Sequence, residues 1–196
     1  MSKVAVVYHS GYGHTHEQAK AVAAGAARVP GTEVELVRIE KADQDFAPIL
    51  AKLEKADAII FGAPTYMGSV SGVFKIFMDA TSKVWGKWTD KISAGFTNSA
   101  SQNGDKLNSL IQLAIFSAQH GMTWVSLGLM PGNNTSKGSP DDLNRLGSFI
   151  GAMAQSPGDL GPENGPSASD LKTAEHLGRR VAEAAQRFQV EQREAA

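Results

Sequence analysis

Three short stretches of the chain carry residues whose types and spacing suit a bound anion and a flat polar ring. The first is Ser10-Gly11-Tyr12-Gly13-His14-Thr15. Two hydroxyls and two glycines stand between an apolar run, Val4 to Val7, and a segment with Ala19, Val22, Ala23 and Ala26 at helical spacing. A strand that ends in such a loop just before a helix points free N–H groups and the positive end of the helix dipole at one spot, which suits an anion. Thr15 also suits the role of helix cap, and an ordinary capped turn accounts for the same residues. The second stretch runs from Ala63 to Gly72 and contains Pro64-Thr65-Tyr66-Met67-Gly68. Pro64 stops a strand, Thr65 is polar, Tyr66 and Met67 are flat or soft, and Gly68 leaves backbone accessible. That mixture suits the edge of a planar heterocycle, or a plain strand–helix connection with an exposed tyrosine. The third runs from Asn98 to Gly104, supplies Ser99, Ser101 and backbone amides, and reads in isolation as a flexible turn.

Rival chemistries fail on the letters. A Walker loop requires a terminal Gly-Lys-Ser/Thr, which is absent. A dinucleotide fingerprint requires a third glycine where His16 stands. His14 and His16 form a His-x-His without an acidic or third partner, so a metal site is not expected. His120 precedes Gly121 and has the look of a histidine at a helix C-terminus. Trp85 and Trp88 follow a helix end, where an indole packs on the core, lines a pocket or meets a partner.

The elements that must position these residues alternate. Strands are expected at residues 3–8, 33–38, 58–62, 93–97 and 123–127, and helices at 15–28, 46–55, 70–84, 105–120 and 169–192. Short apolar strands alternating with helices imply a parallel sheet covered on both faces. In the last helix Leu171, Ala174, Leu177, Val181, Ala184 and Phe188 form one stripe, started by Pro166, Ser167 and Ser169. Residues 128–166, rich in Gly, Pro, Asn and Ser, read as a long loop of functional or mobile character. Doubly wound sheets bind ligands beyond the carboxyl ends of their strands. All three unusual stretches follow strands, so they converge on one edge.

The 196 residues fit a single domain with a full core. With 19 Lys+Arg against 20 Asp+Glu, the net charge of −1 leaves no footprint for nucleic acid or an anionic membrane. It also lacks the strong acidity of a small carrier that docks on basic partners. Cysteine is absent, which excludes disulfides, thiolate nucleophiles and cysteine-ligated metals. No apolar run approaches the ~18 residues of a membrane span, and the segment before His9 is too short for a signal peptide. A cytoplasmic location is the resulting expectation.

"YHSGYGHT", "FGAPTYMGSVSG" with "FMDAT", and "AQHGM" together resemble the flavodoxin-like NAD(P)H:quinone oxidoreductases of the WrbA family, from Lys3 through the final helix. The resemblance implies one α/β domain over 1–196, a doubly wound five-stranded parallel sheet of order 2-1-3-4-5. It implies non-covalent FMN, NADH or NADPH as donor, a quinone as acceptor and a homotetramer. Ser10, Gly11, Tyr12, Gly13, His14 and Thr15 would then hold the FMN phosphate. Thr65, Tyr66 and Met67 would line the flavin ring, with Pro64 and Gly68 shaping the turn. Ser99, Ala100, Ser101, Gln102, Asn103 and Gly104 would touch the ring from the fourth strand. His120 would stand beside the flavin and steer or protonate the quinone oxygen, Trp85 would border that site, and Tyr12 would meet the nucleotide. Two departures bear on nucleotide preference. Tyr66-Met67 stands where the family usually has Arg-Phe, and Ala100 and Gln102 make the third loop poorer in glycine. A one-electron flavodoxin-type carrier and a non-catalytic FMN-binding regulator are the competing readings.

Overall fold

A computed structural model describes residues 1–194, with side chains through residue 189. Strands β1 (Ser2–His9), β2 (Thr32–Ile39), β3 (Ala58–Tyr66) and β5 (Ile92–Ser99) form a parallel sheet. The order runs β2-β1-β3-β5-β6, where β6 is Thr123–Trp124. A short β4 (Ser69–Val70) pairs antiparallel with the end of β3, and β7 (Ala152–Gln155) pairs parallel with β5. Five helices cover the sheet: α1 (His14–Ala27), α2 (Ala47–Glu54), α3 (Gly72–Ala80), α4 (Lys106–Gln119) and α5 (Ala168–Glu194).

Alternation along each strand explains the two layers. On β1, Val4, Val6 and Tyr8 join the core under α1 and α5, while Ala5 and Val7 join the core under α2, α3 and α4. Ala58 and Ile60 against Ile59 and Phe61 divide β3 in the same way. A strand buried on both faces reads as a continuous apolar run because period 2 sends neighbours to opposite cores. Helices α1 and α5 touch through glycine: a Cβ on Gly25 would lie 1.9 Å from the Glu175 carbonyl oxygen, and one on Gly178 1.9 Å from that of Val22.

The fifth strand is split. The strand expected at 123–127 pairs only through Thr123 and Trp124, opposite Ile92 and Ser93. The chain then leaves the sheet and returns as β7 opposite Phe96 to Ser99. The segment 128–166, expected as one loop, therefore contains a strand and a 3-10 turn at Pro162–Asn164. Asn144 organises the excursion: buried, it donates to the Leu129 and Ser148 carbonyls and accepts from the Ser148 amide. Four residues, Ala-Met-Ala-Gln, are too short and too lacking in β-branched side chains to signal a strand before tertiary pairing supplies it.

Two further boundaries shift. The helix expected over 70–84 is a hairpin, then α3, then a 3-10 turn at Thr81–Val84. The hairpin tip is Met67-Gly68, both at positive φ (49° and 75°), as a two-residue primed turn requires. Helix α1 begins at His14 rather than Thr15, and Thr15 is not its cap; the Ser10 hydroxyl accepts from the Gly13 and His16 amides instead.

Candidate functional site: the carboxyl edge of the sheet

A recess of about 480 Å³ opens at the carboxyl ends of β1, β3, β5 and β7, within the size range of small-ligand sites. The loop after β1 brings Ser10, Tyr12, His14 and Thr15, the end of β3 brings Pro64, Thr65 and Tyr66, and the end of β5 brings Asn98, Ser99 and Ala100. Residues after β7 close it: Ser156, Gly158, Leu160 and Gly161. None of these four is among the site residues expected from sequence, since their only local signal is a Ser-Pro-Gly turn inside a long irregular segment. This fourth wall enters the site because β7 returns the chain to the sheet edge.

One end of the recess is built for an anion. Gly13, at φ +92°, turns the chain into α1, and a Cβ there would lie 2.7 Å from Pro162 Cγ. With Ser10 engaged by the amides of Gly13 and His16, the amides of His14 and Thr15 have no hydrogen-bond partner among the described residues. They lie at the positive end of a 14-residue helix. His14 donates from Nδ1 to the Gly165 carbonyl at 3.2 Å, tying the segment after β7 to this loop. Gly11 is held close to Tyr66, since a Cβ there would lie 2.5 Å from Tyr66 Oη.

The other end is polar and preset. Thr65 Oγ1 lies 2.7 Å from Thr97 Oγ1 and 2.8 Å from Ser109 Oγ, all buried, so its rotamer is fixed by two hydroxyls on neighbouring elements. Asn98 Nδ2 donates to Ser156 Oγ at 2.8 Å, joining β5 to the fourth wall. Tyr66 packs edge-on to the exposed Tyr12, ring centroids 6.2 Å apart. Burial is the main influence that pushes the Tyr66 hydroxyl pKa up, so it stays neutral at pH 7.

Over residues 3–133 the chain matches the family described as NADPH-dependent FMN reductase. The chain belongs to that family. It is 48% identical over 190 residues to flavodoxin FldP of Pseudomonas aeruginosa, covering 96% of this chain and 99% of that one. It is 35% identical to an NAD(P)H dehydrogenase (quinone) of Geobacter sulfurreducens, covering 93% and 97%. Among solved structures it resembles the flavodoxin, WrbA-like protein from Agrobacterium tumefaciens, with 45% identity, TM-score 0.75 and coverage of 96% and 99%. The fold is the flavodoxin-like one, the cofactor is FMN, and NAD(P)H is the electron donor. The recess fits FMN: unpaired helix-terminal amides suit a phosphate monoester, and hydroxyls beside tyrosine suit a planar ring with polar edges.

Not every expected residue reaches the recess. Met67 and Gly68 form the hairpin tip outside it, and Met67 is fully exposed. Ser101 and Gln102 turn their carbonyls inward onto Lys106. Gln102 and Asn103 border a separate cleft with Arg145 and Met153.

His120 and Trp85 correct the expectation most. Helix α4 runs antiparallel to the strands, so its far end lies roughly 20 Å from the recess, at 1.5 Å per residue. There the Gly121 carbonyl accepts from Asp90, and Thr123 begins the sheet edge opposite Ile92. His120 lines a different cavity, of about 330 Å³, with Met78, Thr81, Trp85 and Phe116. It packs at a tilt of 34° against the fully buried Trp88, centroids 4.5 Å apart, and Trp88 is a core residue. Thr81 donates to the Met78 carbonyl, so the proton between Thr81 Oγ1 and His120 Nε2 (2.8 Å) belongs to the histidine. Nδ1 is then a buried lone pair without a partner among the described residues. Burial also lowers the His120 pKa, which keeps the ring neutral. Within a single chain neither His120 nor Trp85 touches the flavin recess.

Proposed function

We propose that the protein passes two electrons from NADH or NADPH to a quinone through FMN, in the cytoplasm and as a homotetramer. When bound, FMN supplies the redox chemistry, accepting from the nicotinamide and delivering to the quinone. The chain supplies the rest. The His14 and Thr15 amides hold the phosphate, Thr65 and Ser99 present oriented oxygens to the ring edge, and the turn after β7 shuts water out beside it.

The observation that carries this reading is the open side of the recess. Tyr12 is 77% exposed and Tyr66 37%, so among the described residues these two tyrosines leave the outer side of a ring lying at the strand ends open. A hydride donor and a flat acceptor have room to take the same position in turn. Hydride transfer favours an enclosed, dry surface, which a neighbouring subunit would provide. Trp85, 69% exposed, and the apolar stripe Leu107, Ile111 and Ile115 on α4 are surfaces such a neighbour would cover. Only across an interface of this kind would His120 approach a flavin bound to a neighbouring subunit, there to steer or protonate the quinone oxygen.

Steady-state oxidation of NADH and NADPH by FMN-loaded protein, with benzoquinone, free FMN and a nitroaromatic as competing acceptors, tests the reading. The expected result is ping-pong kinetics with the quinone fastest. Similarity to a protein named flavodoxin favours a second reading, a one-electron carrier between proteins. Failure of NADH and NADPH to bleach the flavin would select the carrier.

A further inference from the structure

The turn from Ser99 to Gly104 consists of small polar residues, most of them exposed, yet it closes tightly around one side chain. Lys106, the first residue of α4, is wholly buried. Its Nζ donates to the Ser99 hydroxyl at 2.8 Å and to the Ser101 and Gln102 carbonyls at 2.6 and 2.9 Å. An ammonium has three donors, and all three are used. Lysine ordinarily carries its charge out to water along an apolar stem. Here the charge is carried inward, directly behind Ser99, a wall of the recess. The backbone is shaped to match: Gly104 and Asp105 both have positive φ (57° and 54°), and a Cβ on Gly104 would lie 2.4 Å from Ser99 Oγ. Ser99 in turn donates to the Ser101 carbonyl at 3.1 Å. Its proton is thus spent within the turn, and what it offers the recess is a lone pair.

We propose that Lys106 is a positioning residue for the flavin: its ammonium holds the 99–104 turn in the form that meets the ring, and ring affinity depends on that charge. The proposal rests on the reading that FMN lies in the recess with its ring toward β5.

The charge is removable within an accessible range of pH. Burial lowers the Lys106 pKa to about 8, with Asp170 of α5 favouring the ammonium and Arg145 of the excursion opposing it. Asp105 is its neighbour in the chain. A neutral amine has two donors for three oxygens. It keeps the third contact only by accepting a hydrogen bond from the Ser99 hydroxyl, which breaks the Ser99–Ser101 bond. Deprotonation therefore remodels the wall of the recess without touching the phosphate loop.

The test is titration of flavin-stripped protein with FMN and, separately, with riboflavin, followed by flavin fluorescence from pH 6.5 to 9.5. Wild type is compared with Lys106→Arg and Lys106→Met. At pH 7 the methionine variant is expected to bind both flavins about tenfold more weakly, the scale of one lost charged hydrogen bond. Wild type is expected to lose affinity for both flavins by a similar factor between pH 7.5 and 9.5, while both variants show no such step. Riboflavin lacks the phosphate, so a step shared by both ligands belongs to the ring side. A flat wild-type profile would overturn the proposal, as would loss for FMN alone, which would put the turn at the phosphate. Should the methionine variant not fold, the wild-type and arginine profiles decide. Wild-type protein that binds neither flavin would overturn the site reading itself, whereas normal FMN binding with indifferent Lys106 variants would overturn only the role of Lys106.

Discussion

Gly13 shows how much of the site depends on one backbone position. Its φ of +92° is left-handed, and the place a Cβ would take is filled by the ring of Pro162. A branched side chain there is strained by about 1–3 kcal/mol and drives the turn after β7 out of place. Gly13→Val is therefore expected to weaken FMN binding at least thirtyfold, about 2 kcal/mol, while the circular dichroism of the fold persists. Retention of the yellow chromophore at normal affinity would refute the phosphate placement. Asp170 is a residue of the opposite kind, a buried charge with every partner supplied. It accepts two bonds from the Arg145 guanidinium, at 2.8 and 2.7 Å, and one from the Gln155 amide at 2.9 Å, and it is almost wholly buried. Removing one member of such a pair strands the other, which costs about 3–5 kcal/mol. Asp170→Asn is expected to lower stability on that scale in urea unfolding and to release β7, seen as faster amide exchange at Gln155.

The α1–α5 crossing is the element on which the recess is mounted, because α1 carries the Ser10–Thr15 loop at its N-terminus and α5 follows the fourth wall. Gly25 and Gly178 let the two backbones approach to where any side chain would collide with a carbonyl. Backbone carbonyls cannot turn aside as a flexible side chain does. Gly178→Val is expected to cost about 3 kcal/mol or more by overpacking, lowering the melting temperature by roughly 6–12 °C for a chain of this size. An unchanged melting temperature would show that the helices separate without penalty. The split of the fifth strand is decided at the same scale. Trp124 donates its indole N–H to the Ile150 carbonyl and lies over Gly95, so the two halves of that strand position are braced against one another across the excursion.

At the scale of the whole molecule, the two cavities share no residue, one lined by Ser10 and Thr15 of the loop after β1 and the other by His120 with Trp85. If both serve one reaction, they meet only between subunits. Symmetric closed assemblies are the common solution, and the exposed apolar face of α4 gives such an assembly something to bury. Sedimentation over a dilution series, read beside specific activity, is expected to show activity falling on dilution, as dissociation of the proposed homotetramer requires. Full activity from a monomer would remove the neighbour from the site. No helix among the described residues is long and apolar enough to cross a membrane.

What the sequence determined by itself was whatever is local. The apolar runs of β1, β3 and β5, the stripe on α5, and the hydroxyl–glycine loops at the strand ends are all legible, because period and turn chemistry are written in adjacent residues. The order of the sheet followed from resemblance carried by those same stretches. Tertiary structure decided what depends on distant chain. The residues of β7 become a strand only against β5, and Ser156 to Gly161 become a wall only through that pairing. Lys106 has nothing around it in sequence to mark it as buried, since the acceptors that hold it appear only when the turn folds back over α4. His120 stood in a recognisable motif, but the direction of a helix relative to its sheet, not the motif, determines which end of the molecule it occupies.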